Sequence, residues 1–280
     1  MIEERPVSFE CEGSRLYGIV SVPVSPKNVT CGVMIVVGGP QYRAGSHRQF
    51  TLLARSLAAR GIAAMRFDYR GMGDSEGEMR GFEEIGADLR AALDCFTMTV
   101  PELRDIALWG LCDGASAIAF YAADDARVGG LALLNPWMRT EAGVAKATIK
   151  HYYRARLFER ELWTKILRGR FDVRAAVSSA FKLADSAMRA QAGGSPQASL
   201  PQRMIDGLAR FDGRLLVMLC GADLTAQEFA GVAESDARWR KLLASPRVTR
   251  HYLPSADHTC SRREWHEQVV DWTCNWMAAW

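Results

Sequence analysis

The sequence lacks long apolar runs. Its apolar runs, such as those at residues 33–37 and 131–134, are far shorter than the roughly 20 residues that a membrane-spanning helix requires. The first residues contain no apolar segment typical of a secretory signal. We therefore expect a soluble protein of the cytoplasm with no membrane span.

Cysteine patterns that build disulfide frameworks or zinc sites are also missing. The chain has seven cysteines, an odd number, with no CxxC motif and no Cys/His cluster. In a reducing compartment these residues are expected to be free thiols, and we expect no metal and no cofactor. Hydrophobic residues at 49% and charged residues at 24% exclude a disordered, collagen-like or coiled-coil chain.

Charge of one sign does not dominate, but it is unevenly placed. The net charge is +3, yet residues 136–211 hold fourteen Lys and Arg against six acidic residues, a net of +8. The rest of the chain therefore carries −5. This segment either presents solvated helix faces or attracts an anionic partner. It lacks the regular aromatic interleaving of a nucleic-acid surface, so we expect no nucleic-acid partner.

Strand-like and helix-like segments alternate through most of the 280 residues, which is typical of βαβ units around a largely parallel sheet. Two segments, at 7–11 and 16–23, resemble an opening antiparallel pair. The other strands are expected at 33–37, 62–68, 106–110, 128–134, 215–220 and 248–253. Helices are expected at 46–60, 82–98, 115–123, 227–244 and 261–277.

The alternation stops for about 75 residues. Helical patterns at 141–168, 171–191 and 200–210 follow one another without a convincing strand. We predict a helical cap at 136–211, inserted into a core formed by 1–135 and 212–280.

Cys112 lies in a G-x-nucleophile-x-G motif, Gly110-Leu111-Cys112-Asp113-Gly114, between a predicted strand and a predicted helix. Such a turn exposes the nucleophile above the sheet, and the glycines allow the strand and helix to approach closely. The motif resembles the nucleophile elbow of the α/β-hydrolase superfamily, with cysteine where serine is more usual. The alternative is a cysteine packed behind a helix start.

Two later motifs have the order that this superfamily uses, which is nucleophile, acid, histidine. Asp223 follows a predicted strand in Gly-Ala-Asp, and His258 follows the last strand in Asp-His. The resemblance implies a Cys112–His258–Asp223 triad in which His258 takes the thiol proton and Asp223 orients the imidazole. Asp257 is the alternative acid. The other histidines considered, His251 and His266, fall within a strand and a helix and are weaker candidates.

An oxyanion hole would need two backbone N–H groups. The Asp113 N–H, next to the nucleophile at a helix N-terminus, is one expected donor. The resemblance implies that the second lies after the strand at 33–37, where we assign Gly39. Pro40 has no N–H, and the Gln41 N–H is the alternative.

A further superfamily signature, D-x-R-G-x-G-x-S, begins at Asp68. Asp68 and Arg70 are expected to brace loops around the site rather than to take part in the reaction.

Three segments, 38–50, 110–113 and 221–229, together resemble the exosortase A system-associated hydrolase family, type 1. This resemblance implies an α/β-hydrolase fold, with a mostly parallel eight-stranded sheet and the cap insertion, and a genomic link to exopolysaccharide and protein-sorting clusters. The residues close to the oxyanion loop that could contact substrate are Gln41, Tyr42, Arg43 and His47. Alternatively, Arg43 and His47 cap the following helix.

The sequence therefore predicts a Cys-His-Asp acyl hydrolase for an ester or thioester, with acyl transfer included because a thioester passes readily to other nucleophiles. The basic segment suits an acyl group carried by coenzyme A or by an acidic carrier protein. The alternative hypothesis is a catalytically inactive binding or regulatory module that retains the fold.

Overall fold

The structure is a computed structural model that describes residues 1–24, 29–138 and 198–280. It contains an eight-stranded sheet in the order β1-β2-β4-β3-β5-β6-β7-β8. The strands are β1 (Ile2–Cys11), β2 (Ser14–Pro23), β3 (Cys31–Val36), β4 (Ala63–Asp68), β5 (Asp105–Leu111), β6 (Val128–Leu134), β7 (Arg214–Cys220) and β8 (Val248–Leu253). Strands β1 and β2 pair antiparallel, β2 joins β4 antiparallel, and β3 to β8 are parallel. The predicted eight-stranded, mostly parallel α/β fold is confirmed.

Seven α-helices lie in the described residues. They are α1 (Gln49–Ala59), α2 (Gly86–Thr99), α3 (Asp113–Tyr121), α4 (Leu200–Arg210), α5 (Leu224–Ser235), α6 (Ala237–Leu243) and α7 (Arg263–Ala278). None of the helices in these ranges is long and apolar enough to cross a membrane.

The helices cover both faces of the sheet, as the buried strands require. Val33 and Ile35 of β3 point to one face, where they share a core cluster with residues of α1 and α7. Gly32, on the opposite face, lies against Phe96 of α2, and a Cβ there would be 2.9 Å from the phenyl ring. Residues Met1–Met138 and Arg203–Trp280 together form one compact unit.

The strand order positions the site. The chain passes from β3 to β4 on one side and then crosses to β5 on the other, so the connections after β3 and β5 run in opposite directions. Parallel sheets hold their ligands at such a switch point, outside the carboxyl ends of the strands.

Several predicted boundaries differ from the structure for local reasons. The helix expected at 227–244 is two helices, because Asp236 interrupts the first and caps the second by accepting from the N–H groups of Arg238 and Trp239. The helix expected at 46–60 begins as a 3₁₀ turn, since His47 and Arg48 have positive φ. The helix expected at 82–98 likewise begins with a 3₁₀ turn, Phe82–Glu84.

The predicted cap at 136–211 lies largely outside the described residues. The helices expected at 141–168 and 171–191 lie wholly outside them. The helix expected at 200–210 is observed as α4.

Candidate active site

Cys112 lies on a sharp turn between the end of β5 and the start of α3. Its φ of 58° and ψ of −124° are unfavourable for a residue with a side chain. The turn is possible because its neighbours are small: a Cβ on Gly110 would lie 2.5 Å from the Gly114 carbonyl carbon, and one on Gly114 would lie 2.6 Å from the Val36 oxygen. The partly exposed thiol therefore lies above the carboxyl ends of β3 and β5.

Asp223 follows β7 and is itself held by the helix after it. Its carboxylate caps α5 by accepting from the N–H groups of Thr225 at 3.2 Å and Ala226 at 3.0 Å. The residue is only 6% exposed. These bonds fix the carboxylate so that its Oδ2 faces the loop after β8.

His258 lies on that loop, with its Nδ1 2.9 Å from Asp223 Oδ2. The separation is that of a close ion pair, although the Nδ1–H direction is not well aligned with the acceptor. The contact with Asp223, followed by a contact with the Cys112 thiol, raises the pKa of His258 to about 10. The structure thus brings Cys112, His258 and Asp223 together in the order that the sequence predicts.

The alternative acid and the other histidines have different partners. Asp257 accepts from the N–H of Ser261 at 2.9 Å and from its hydroxyl, and so it stabilises its own loop. His251 stacks on Trp272 with ring centroids 4.3 Å apart. His266 Nε2 lies 3.1 Å from the Gln49 oxygen. Burial lowers the pKa of both histidines.

The two amides considered as the second oxyanion donor have hydrogen-bond partners in this structure. The Gly39 N–H donates to Asp113 Oδ2 at 2.9 Å, and the Gln41 N–H donates to the Gly39 oxygen at 2.8 Å. Both amides considered as the second donor are therefore engaged within the protein. Burial raises the pKa of Asp113 against the opposing hydrogen bonds from the Gly39 and Gly114 N–H groups.

Three of the four proposed substrate contacts act as loop braces in this structure. The Gln41 side-chain amide donates to the Gly38 oxygen and accepts from the Ser46 N–H. Arg43 pairs with Asp68 and Asp74. His47 Nε2 lies 3.1 Å from Thr259 Oγ1, which connects this loop to the residue after His258. Within the described ranges no side chain caps α1 or the 3₁₀ turn before it, so the structure does not give Arg43 and His47 the capping role.

Tyr42 is the exception in this loop. Its side chain is 53% exposed, and it remains a predicted substrate contact.

The braces predicted at Asp68 and Arg70 are confirmed. The Asp68 carboxylate accepts from the N–H groups of Arg43 at 2.6 Å and Asp74 at 3.2 Å. Arg70 makes a buried, two-point contact with Asp88 of α2, at 2.9 and 2.8 Å. Such paired geometry offsets much of the cost of burying both charges.

Asn135 is a site residue that the sequence analysis did not identify. It follows β6, is fully buried and has a φ of 47°. Its Nδ2 donates to the His258 oxygen at 3.0 Å, and its Oδ1 accepts from the Cys220 N–H at 2.8 Å. The amide therefore joins the histidine loop to the strand that leads to Asp223. An Asn directly after a buried strand, able to adopt positive φ, is the only sequence signal for it.

Metal-ligating groups are not clustered in the described ranges, where no set of three His, Cys, Asp or Glu residues could hold an ion. Cys112, His258 and Asp223 bring a thiol, an imidazole and a carboxylate together at the site. This arrangement on this sheet defines the class of α/β hydrolases.

The family model for Hydrolase_4, described as serine aminopeptidase, S33, matches residues 31–192. The match covers more than half of the chain, so the protein belongs to this hydrolase family. The description of the family names serine, whereas this chain has Cys112 at the elbow. No curated protein matches the sequence.

Solved structures of low sequence identity share the fold. Esterase Pf2001 of Pyrococcus furiosus has a TM-score of 0.65 at 16% identity, with 99% of this chain and 92% of that chain covered. Est1E of Butyrivibrio proteoclasticus, with ferulic acid bound, has a TM-score of 0.64 at 17% identity, covering 98% of each. The esterase domain of a Rhodothermus marinus protein has a TM-score of 0.59 at 18% identity, covering 98% and 97%.

Proposed function

We propose that the protein is an acyl hydrolase in which Cys112 attacks an ester or thioester carbonyl. The observation that carries this proposal is the position of Cys112 on a strained turn, in contact with a histidine that lies 2.9 Å from a buried carboxylate. Nucleophile, base and orienting group are the three parts that covalent acyl chemistry requires.

The reaction proceeds in two halves. The thiolate of Cys112 attacks the carbonyl carbon, and the carbonyl π electrons move to the oxygen. Collapse of this intermediate expels an alkoxide or thiolate, which takes a proton from the His258 imidazolium and leaves an acyl-cysteine. His258 then removes a proton from water as the water attacks the thioester, and Cys112 leaves as a thiolate.

The carbonyl oxygen needs hydrogen-bond donors aimed at the position where its negative charge develops. The Asp113 N–H, in the first turn of α3, stays the first assigned donor. The Gly39 N–H stays the second, but it serves only when the Asp113 carboxylate releases it, because the two are bonded at 2.9 Å. Acylation is therefore expected to involve a movement of the Asp113 side chain.

The acyl carrier is inferred from charge. Residues 136–211 have a net charge of +8 in the sequence, which favours a carrier rich in phosphate or carboxylate, such as coenzyme A or an acidic carrier protein. Acyl-coenzyme A and the matching acyl-pantetheine, which lacks the nucleotide phosphates, test this point. We expect a higher kcat/KM for the coenzyme A form, and the difference should shrink as salt is added. Equal kcat/KM values for the two substrates at low salt would contradict the inferred anionic carrier.

Transfer of the acyl group to an amine or thiol is included in the proposal, since the acyl-cysteine is itself a thioester. The resemblance at residues 38–50, 110–113 and 221–229 supports a role beside exopolysaccharide and protein-sorting clusters in the cytoplasm. The genes that neighbour the coding sequence are the test of that link.

Trapping the acyl-enzyme tests the central claim. The protein is mixed with a panel of acyl esters and acyl thioesters, quenched in acid and mapped by mass spectrometry. We expect the acyl mass on the Cys112 peptide, none in Cys112→Ala, and an unchanged adduct in Cys95→Ala, which alters a buried thiol on α2. An adduct that persists in Cys112→Ala, or a wild-type chain that never acylates, would favour the binding-module hypothesis.

Iodoacetamide separates the same two hypotheses without a substrate. A thiol paired with imidazolium reacts faster below neutral pH than buried thiols do. We expect Cys112 to be labelled first of the seven cysteines. Uniform slow labelling would contradict the catalytic assignment.

A further inference from the structure

Two other cysteines lie directly behind the catalytic loops. The Sγ atoms of Cys220 and Cys260 are 3.5 Å apart, and the side chains are 1% and 5% exposed. All seven cysteines are free thiols. In the described part of the chain, only these two bring their sulfur atoms within hydrogen-bond distance of each other.

Each of the two thiols belongs to a segment that carries a triad residue. Cys220 is the last residue of β7, three positions before Asp223. Cys260 follows His258 by two positions, and its N–H donates to the Asp257 oxygen at 3.2 Å. A covalent bond between them would join the acid segment to the histidine segment.

We propose that Cys220 and Cys260 form a redox-active pair, a modification site separate from Cys112 that a small peroxide converts to a disulfide. One thiol reacts with hydrogen peroxide to give a sulfenic acid and one water. The second thiol then attacks the sulfenic sulfur, forming the S–S bond and releasing a second water. Both thiols together lose two electrons and two protons, and the peroxide is reduced to two waters.

The geometry requires little movement. A disulfide has an S–S length of about 2.05 Å, so the sulfur atoms must approach by about 1.5 Å, a distance that side-chain rotation and small backbone shifts can share. The thiol–thiol hydrogen bond from Cys260 lowers the pKa of Cys220 against the effect of burial. The thiolate is the form that oxidants attack, so this hydrogen bond favours reaction of the pair.

A small oxidant suits the surroundings of the pair. Cys260 lines a water-sized cavity together with Trp109 and His266, so a small oxidant approaches the pair from this side more readily than a protein disulfide does. Among the residues that the structure describes, the other buried cysteines, such as Cys95 and Cys274, have no sulfur partner with which to resolve a sulfenic acid.

Oxidation is expected to disturb the triad. Because both segments move when the sulfur atoms approach, the 2.9 Å contact between His258 and Asp223 is the first to change. A consequence for catalysis rests on the proposed function, but the disulfide and the state of His258 can be measured without Cys112.

The test uses the full-length Cys112→Ala protein, which removes the competing reactive thiol. It is treated with hydrogen peroxide, its remaining thiols are alkylated in denaturant, and its peptides are mapped without reductant. We expect a Cys220–Cys260 cross-linked peptide that dithiothreitol separates. The cross-link should be absent after a further Cys220→Ala or Cys260→Ala change and unaffected by Cys95→Ala.

Alkylation of both thiols after peroxide treatment would overturn the proposal, as would sulfinic acid at either position without a cross-link. The effect on the triad is measured on the same Cys112→Ala protein by NMR titration of His258. We expect its pKa to move toward the ordinary value of 6.5 on oxidation and to return with dithiothreitol. A cross-link that leaves the titration unchanged would refute the coupling.

Discussion

The side-chain amide of Asn135 donates to the His258 backbone oxygen at 3.0 Å and accepts the Cys220 N–H at 2.8 Å. One buried residue therefore holds the loop of His258, the proposed base, against the strand that leads to Asp223, the proposed acid. Neither bond touches the reacting atoms, so Asn135 is a positioning residue.

Replacing Asn135 with alanine should weaken both stability and activity. The change leaves the Cys220 N–H and the His258 oxygen buried without partners, at a cost of about 2–4 kcal/mol in the free energy of unfolding. A small displacement of His258 should lower kcat about 10- to 100-fold. Urea unfolding and steady-state kinetics measure the two effects. The matched control, Asn275→Ala at an exposed position of α7, should change neither, and an unaltered kcat in Asn135→Ala would contradict the positioning role.

Asp223 is expected to be essential for turnover. Asparagine at this position keeps an oxygen that can cap α5, so the fold should remain, but it removes the charge that stabilises the His258 imidazolium. We expect Asp223→Asn to lower kcat/KM by about 10³- to 10⁴-fold, the scale known for triad acids. Asp257→Asn is the control, because that carboxylate bonds to Ser261 of its own loop, and we expect it to alter kcat/KM by no more than about threefold. Similar losses in both variants would argue against Asp223 as the acid.

The pH profile should reflect the raised pKa of His258. Because Asp223 and then Cys112 stabilise the charged ring, the imidazolium persists as the pH rises from 6.5 and is lost near pH 10. The proton that His258 gives to the leaving group disappears in the same range. We therefore expect the alkaline limb of kcat/KM to fall near pH 10. In Asp223→Asn that limb should move to lower pH, and an alkaline limb that stays in place would refute the assigned cause.

The positions of the strands and triad residues, and the contacts around them, were predictable to different extents from the sequence. The strands and the shared position of Cys112, Asp223 and His258 could be predicted locally, because each residue follows an apolar run and parallel strands end at one edge. The bonds of Asn135 join positions 85 and 123 residues apart, and the Gly39–Asp113 contact spans 74. No local pattern encodes such contacts. The same limit applies to His47 and Arg48, whose left-handed backbone places the start of α1 at Gln49 rather than at the predicted residue 46.

The closeness of the oxyanion loop to the elbow leads to the last prediction. A Cβ on Gly38 would lie 2.1 Å from Asp113 Oδ1, 2.5 Å from the Leu111 oxygen and 2.8 Å from the Gly114 nitrogen. Backbone atoms form two of these contacts, so rotation of the Asp113 side chain alone cannot relieve them. Gly38→Ala must push the loop away from Cys112.

We expect Gly38→Ala to lower the free energy of unfolding by about 1–3 kcal/mol, and kcat/KM by about 100-fold, because the oxyanion donors lose their positions. The control is Gly231→Ala in α5, where an added Cβ meets nothing within 4 Å. That change should stabilise the helix by about 0.5–1 kcal/mol and leave kcat/KM unchanged. Thermal unfolding and kinetics on the two variants separate a local effect at the site from a general effect of replacing glycine. A Gly38→Ala enzyme with full activity would show that the loop stands farther from the elbow during the reaction than it does in this structure.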